Sequence, residues 1–536
     1  MWTVRLISFN ANAHEEYDSR TVTVPDTIWY DNDNPRQSEI EAQSQLDDEG
    51  NYTEEVMTKF DGSTEYTAAT NLFQEMTDHM ASTSQLTRAN GPLMNTATSP
   101  TADERTAPEG VGTDNGDGTM TLSPIDLSTD ETLRNVEGSK VYTEDMPETD
   151  ADNGDSLASL RGADYDDPRW DDLMDQLDFS DPSLYVALAA SYDQTAAIVS
   201  VGKPATVDYD GPQGIVGSIT DSFEYTAYPS EPIIAATFNT DLAYNMGEAV
   251  GQEAMSAGVN SWYAPAMNIH RSPFSGRNFE YYSEDPLLSG IMGAYVVSGC
   301  SDQGLITTIK HFALNDEELY DNDRSRVSIW CNEQAMREIY LKPFEIAVKQ
   351  ARMTINYTSD EDGTVSTRTM RGATGIMNCM NYFGFTWGGA NYALNTELLR
   401  DEWGFRGMVI SDMVMNAGSN SVDSALRSGT DTWMAWGDSF TSLIEDTESA
   451  TAVSVIRRAV KDMCYAVVNS RSMNNIAPGT TISYTMSPWK IGLWISNISV
   501  GVLTVVMVIY MVRRTKDAKA HPENYKAPKE KKQKKA

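Results

Sequence analysis

The sequence predicts an α/β protein built on a TIM-like (β/α)8 barrel, with an acidic β/linker segment before it and a transmembrane helix near the C-terminus. Three observations predict this. Short apolar runs alternate with helical patterns between about Asp155 and Asn475. Polar side chains collect where those apolar runs end, as they do on the working face of such a barrel. A stretch of 22 residues without a charge, Ile491 to Val512, stands near the end of the chain.

The chain has 536 residues, with 78 Asp and Glu against 40 Lys and Arg, for a formal net charge of -38. So acidic a chain is a poor partner for phosphate backbones, and nucleic acid is excluded as a ligand. The four cysteines (Cys300, Cys331, Cys379, Cys464) form no CxxC pair, which argues against a disulfide scaffold or a cysteine-rich zinc site. Residues 1–154 are read as a partial β module followed by an acidic linker. The first 150 residues hold 30 acidic and 8 basic side chains. Trp2 to Phe9 and Arg20 to Tyr30 have the composition of strands, whereas residues 96–118 have no apolar period. Met1 runs into a strand-like segment with no signal-peptide pattern.

Residues 155–475 are the predicted barrel. Trp170, Leu173, Met174 and Leu177 share one helix face. Buried strands are expected at Ala205 to Tyr209, Trp262 to Met267, Leu305 to Ile309, Gly375 to Met380 and Met408 to Ile410, with a helix at Glu333 to Gln350. The first strand ends in Asp210-Gly211-Pro212, and the second leads to Asn268, His270 and Arg271. The third delivers Lys310 and His311, the fourth Asn381, and the fifth Ser411 and Asp412. In a barrel these ends converge on one face. Such a ring suits sugar hydroxyls, with Asp412 as nucleophile or electrostatic stabiliser at an anomeric carbon. Lys310 and His311 are expected to hold sugar rather than metal, because no metal-ligand spacing includes His311 among the 5 histidines. No cofactor is expected.

A spacer at 476–490 leads to the predicted membrane helix, 491–512. Trp489 and Lys490 precede it, and Tyr510, Arg513 and Arg514 mark its far edge. From Arg513 to Ala536 the chain carries 10 Lys/Arg and 3 Asp/Glu, a net +7. By the positive-inside rule the 513–536 tail is cytoplasmic and the barrel extracellular, on a single-pass protein of the cell membrane.

The run from Gly258 to Glu317, with NIHRSPFSGRNFEYYSEDPLLSG and the KHFALNDE motif, resembles the N-terminal barrel domain of glycoside hydrolase family 3. So do DGPQGI at Asp210, NEQAMREIYLKPFEIAV at Asn332, and LLRDEWGFRGMVISD ending at Asp412. The resemblance covers roughly residues 155–475. It implies a retaining exo-glycosidase, β-glucosidase-like or β-xylosidase-like, acting on a β-linked oligosaccharide or glycoside. It places Asp412 at the nucleophile position and Asp210, Arg271, Arg277, Lys310 and His311 at the first sugar subsite. Glu280 and Asp285 stand as supporting residues, and either Arg324 or Arg326 takes the place of an arginine that follows the KHF motif.

The sequence also departs from the family. Met413 follows Asp412 where many relatives have tryptophan, and the KHFPGHG motif of the N-acetylglucosaminidase branch is absent. Residues 353–374 read as an insertion at the rim of the site, either a substrate-facing lid or a surface excursion. The α/β sandwich domain that supplies the acid/base in most relatives does not follow the barrel. The first 150 residues look like the end of an upstream module in a permuted order, which leaves Glu317, Glu318, Asp360 and Glu361 within this sequence as carboxyls in loops near the rim, where a charged loop is usually only solvated. The resulting expectation is a membrane-anchored β-glucosidase-like hydrolase. The alternative is a catalytically weak or inactive sugar-binding surface protein that lacks its acid/base domain.

Overall fold

A computed structural model describes residues 143–525, apart from 192–193, 218–222, 272–274, 317–327, 330–334, 384–385, 415–421, 436–443, 475 and 481–486, and four strands before residue 143. The chain divides into two compact units, Met1–Thr480 and Thr481–Ala536. Near the N-terminus, Trp2–Ile7 pairs antiparallel with Glu16–Val22. The second predicted strand therefore begins earlier than its apolar run, and residues 23–30 lie outside the described residues. A further hairpin joins Gly112–Asp114 to Met120–Leu122, inside the segment expected to be loose.

The central sheet contains β1 (Ala189–Ser191), β2 (Gln194–Thr195), β3 (Thr206–Tyr209) and β4 (Ser261–Trp262). It continues with β5 (Ile306–Phe312), β6 (Gly375–Asn378), β7 (Met408–Met413) and β8 (Thr432–Ala435). Their order is β6-β7-β8-β1-β2-β3-β4-β5, and β5 closes the ring on β6. Seven strands run in one sense. The short β2 runs against both neighbours, pairing Ser191 with Gln194 and Thr195 with Thr206. The ring is thus TIM-like in its α/β layering, but it is not eight regular β/α repeats. Three of its strands, β1, β2 and β8, were not legible in the sequence, because two to four residues carry no usable alternation.

The apolar runs became strands for the expected reason, burial on both faces: every residue of β5, β6 and β8 is buried. Strands β5 and β7 extend three residues beyond their apolar runs, so Lys310, His311, Ser411 and Asp412 belong to the sheet itself. Tyr263, Met377, Ile410 and Met434 form a small apolar cluster, and Met413 packs on it. Outside the ring, Trp170, Leu173, Met174 and Leu177 are all buried, as their spacing predicts. The expected helix at 333–350 is split. A π-helical turn, Met336–Tyr340, precedes an α-helix, Lys342–Gln350, with Pro343 in its first turn, where a missing N–H costs nothing.

The segment 353–374 is not at the rim of the site. It is an antiparallel hairpin, Arg352–Thr358 with Val365–Arg371, that leads directly into the N-terminal end of β6. Arg371 donates to the carbonyls of Trp403 and Gly404, just before β7, and Arg368 pairs with Asp164. Asp360 and Glu361 lie in its turn, on the face opposite the strand ends, and cannot be rim carboxyls.

The same end of the barrel holds a buried charge network. Arg400 lies 2.7 Å from Asp431 and 3.1 Å from Asp462. Asp431 also accepts the Val409 N–H at 2.7 Å, and Asp462 accepts the Tyr165 hydroxyl at 2.6 Å. Arg458 also reaches Asp431 at 3.3 Å and Asp462 at 3.6 Å, so removing Arg400 leaves two buried carboxylates to one more distant cation. Arg400→Ala should therefore cost about 3–5 kcal/mol of stability. Denaturant unfolding of the purified chain checks this, and a loss under about 1 kcal/mol would show that water already satisfies these groups.

The second unit contains the helix Pro488–Ala520, 33 residues, long and apolar enough to cross a membrane. It outruns the predicted 491–512 at both ends. Pro488 opens it in a position suited to proline, and the helical backbone continues through the basic segment Arg513 to Lys519.

Candidate active site

Asp210 is the residue that follows β3. The turn after it is tight: Gly211 has φ +106°, and a Cβ there would lie 2.2 Å from the Gly214 carbonyl oxygen. Only glycine allows that approach. The indole of Trp262 donates to the Gly211 carbonyl at 2.8 Å, and the Val216 N–H donates to the Asp210 carbonyl at 2.8 Å. Together these bonds fix the Asp210 side chain at the end of the barrel.

Lys310 reaches Asp210 from β5 and donates to its carboxylate. Burial would raise the Asp210 pKa, but the Lys310 charge, the Lys310 and Gly211 hydrogen bonds and the Arg277 charge outweigh it and hold the group below the ordinary carboxylate range. His311, next in the strand, is anchored through its backbone. Its N–H donates to Asn268 Oδ1 at 2.8 Å, and the Asn268 amide donates to its carbonyl at 2.9 Å.

The His311 ring lies between Arg277 and Asp412. Arg277 Nη2 is 3.1 Å from His311 Nε2. A guanidinium only donates, so this contact is a hydrogen bond in the tautomer that carries the ring proton on Nδ1. His311 Nε2 is 3.7 Å from Asp412 Oδ2. Arg277 also donates through Nε to Glu280. Asp412 is buried to 8% exposure, and its Oδ1 accepts the Met413 N–H at 2.7 Å. The β7/β8 register shifts between Ile410 and Met413, and the β5/β6 register shifts beside Ile309–Phe312. Such bulges re-aim side chains at barrel rims, and here they bracket Asp412, Lys310 and His311.

The structure thus links Asp210, Lys310, Arg277, His311 and Asp412. Arg271 stands on the neighbouring turn, 3.3 Å from Asp316. Other strand-end residues support the frame. His270 bonds the Tyr281 carbonyl at 2.7 Å, and the Ser411 hydroxyl accepts the Met434 N–H at 3.1 Å. Glu280 pairs with Arg277, and Asp285 caps the helix Pro286–Asp302 through the Leu287 and Leu288 N–H groups. Glu317, Glu318, Arg324 and Arg326 lie outside the described residues.

Sequence reasoning missed Asp316, and it missed an exposed aromatic in the turn that carries Glu280. Phe279, 56% exposed, is part of the same 3-10 turn as Glu280, and its carbonyl accepts the Gln213 amide at 3.2 Å. The signal available for Phe279 was its place inside the RNFEYY segment.

A strand-end constellation of a buried carboxylate, two cationic side chains and an anchored imidazole is what the family resemblance implies. A family model described as the glycosyl hydrolase family 3 N-terminal domain matches residues 178–463, just over half of the chain. The chain belongs to glycosyl hydrolase family 3. It is 40% identical over 219 residues to a β-glucosidase A of Butyrivibrio fibrisolvens, covering 40% of this chain and 23% of that one. It is 34% identical over 272 residues to a β-glucosidase of Rhizobium radiobacter, covering 50% and 30%. Among solved structures, a β-glucosidase from Paenibacillus barengoltzii superposes with TM-score 0.51 at 27% identity, over 63% of this chain and 37% of that chain. The family 3 chain described here spans less than a third of the length of these curated relatives.

With Asp210 held ionised by Lys310, its stabilising effect should be fully present above the unfolded carboxylate value of about 3.9 and lost as pH falls through the lower folded value. The difference in Tm between the native chain and Asp210→Asn should therefore be flat from about pH 5 to 7 and shrink below about pH 4. A difference that changes across the neutral range would contradict this assignment.

Proposed function

We propose that the chain is a retaining β-glucosidase-like glycosidase in which Asp412 attacks the anomeric carbon. In this reading Asp210, Arg271, Arg277, Lys310 and His311 hold the sugar in the first subsite. The observation that carries it is the linked set at the strand ends: Asp412 3.7 Å from His311, His311 3.1 Å from Arg277, and Lys310 paired with Asp210. β-Glucosidase relatives and the family membership support the substrate class. An activated aryl β-glucoside tests it. The chain should release the phenol well above the rate of Asp412→Asn, and equal rates would sink the reading.

The domain layout belongs to the same proposal: 1–154 a partial β module and linker, 155–475 the barrel domain, 476–490 a spacer, 491–512 the membrane span and 513–536 a cytoplasmic tail. The uncharged span and the net +7 tail support a single-pass anchor with the barrel outside. Protease added to intact cells should trim the acidic N-terminal segment and spare the Lys-rich tail. Digestion of the tail with protection of the body would reverse the orientation.

The second reading, a sugar-binding protein with weak or no hydrolytic activity, has one observation in its favour. Among the described residues, the carboxylates beside Asp412 are each matched to a cation: Asp210 to Lys310, Glu280 to Arg277 and Asp316 to Arg271. A carboxylate held by a cation is poorly placed to donate a proton to a leaving group.

A further inference from the structure

Glu231 opens the short helix Glu231–Ala235, which packs on the 3-10 turn Asn278–Glu280 and on the helix Pro286–Asp302. It is 1% exposed, and among the described residues neither carboxyl oxygen has a hydrogen-bond partner from another residue. Burying a carboxyl in this way is costly, and an ionised one more so. The groups that act on it are its own backbone N–H, Glu280 from the 3-10 turn and Lys310 from β5. Tyr282 also feels its charge. Glu280 is the residue that holds Arg277, and Arg277 is the residue that touches His311.

We propose that Glu231 is a positioning residue of the sugar pocket: as a neutral carboxylic acid it leaves Glu280 as the anion of the Arg277 clamp, and its ionisation disturbs the Arg277–His311 contact. The proposal rests on the glycosidase reading only for its effect on catalysis. An ionised Glu231 would set a second buried anion beside the turn that carries Glu280, in competition with Glu280 for Arg277. Burial is the first cause that pushes the Glu231 carboxyl well above its ordinary range, and the Glu280 charge adds to it. Lys310 and the backbone N–H act in the opposite sense. The sign follows. A raised folded value means that the neutral form is favoured in the native state, and native stability is lost as pH rises through that value.

The experiment compares the full chain with Glu231→Gln, both in detergent. The histidine ring signals are followed by NMR across pH, with His311 assigned by difference from His311→Asn. In the native chain the His311 signal should show a second, alkaline step that is absent from Glu231→Gln. The rate of labelling by an activated 2-fluoro-glucoside should fall about tenfold per pH unit above that step in the native chain, and Glu231→Gln should lose this limb while keeping the acid one. A merely structural glutamate would change Tm, and increasingly so with pH, without moving the His311 step. Identical His311 titrations in the two chains overturn the proposal, whatever the labelling shows. If neither chain is labelled at any pH but the Glu231-dependent step is present, the glycosidase reading fails and the positioning role stands.

Discussion

Asp412→Asn should abolish turnover of an activated aryl glucoside, with a loss on the order of 10⁴-fold or more in kcat/KM, as expected when a covalent nucleophile is removed. The asparagine amide fits the same space and still accepts the Met413 N–H, so folding should be unaffected. That separates it from a substitution in the Arg400 network, where lost activity would follow lost structure. Glucose affinity should survive in Asp412→Asn, because Asp210, Lys310 and Arg277 are untouched. Loss of affinity together with rate would place Asp412 in sugar binding rather than in bond formation.

The second large effect concerns proton donation. Unactivated disaccharides should be cleaved poorly by this chain as it stands, because the leaving oxygen needs a general acid worth about 10²- to 10⁴-fold. A retaining mechanism places that group about 5–5.5 Å from the nucleophile. The described carboxylates near Asp412 are committed to Lys310, Arg277 and Arg271. An aryl glucoside with a good leaving group should therefore give a burst followed by slow turnover, since the same group must also activate water. Added azide should speed the second step by attacking the ester without a base. Disaccharide cleavage as fast as aryl glucoside cleavage, with no effect of azide, would show that the chain holds its own acid/base. Glu317 and Glu318 would then be the first residues to replace.

The parts of this site that were legible in the sequence lie on strands with strong burial patterns. Lys310, His311 and Asp412 follow runs such as Leu305 to Ile309 and Met408 to Ile410, whose uninterrupted apolar character leaves little choice but a buried parallel strand. Asp210 was legible because Asp-Gly-Pro marks an abrupt turn after such a run. Arg277 is different. It lies in a loop, and only the motif around it pointed to the site; its contact with His311 depends on tertiary folding that no local pattern encodes. Glu231 had no legible signal, since a glutamate before proline at a helix start reads as a solvated first-turn acid. Its burial is a tertiary fact. The hairpin at 353–374 was misplaced for a related reason. Its alternating Thr and Arg residues announce exposed strands, but not the end of the barrel to which they attach.

The most direct test of the account is peptide mass spectrometry of the chain after reaction with an activated 2-deoxy-2-fluoro-β-glucoside. The account predicts one ester, on the peptide that contains Asp412, and none in Asp412→Asn. An ester on any other carboxylate would contradict it.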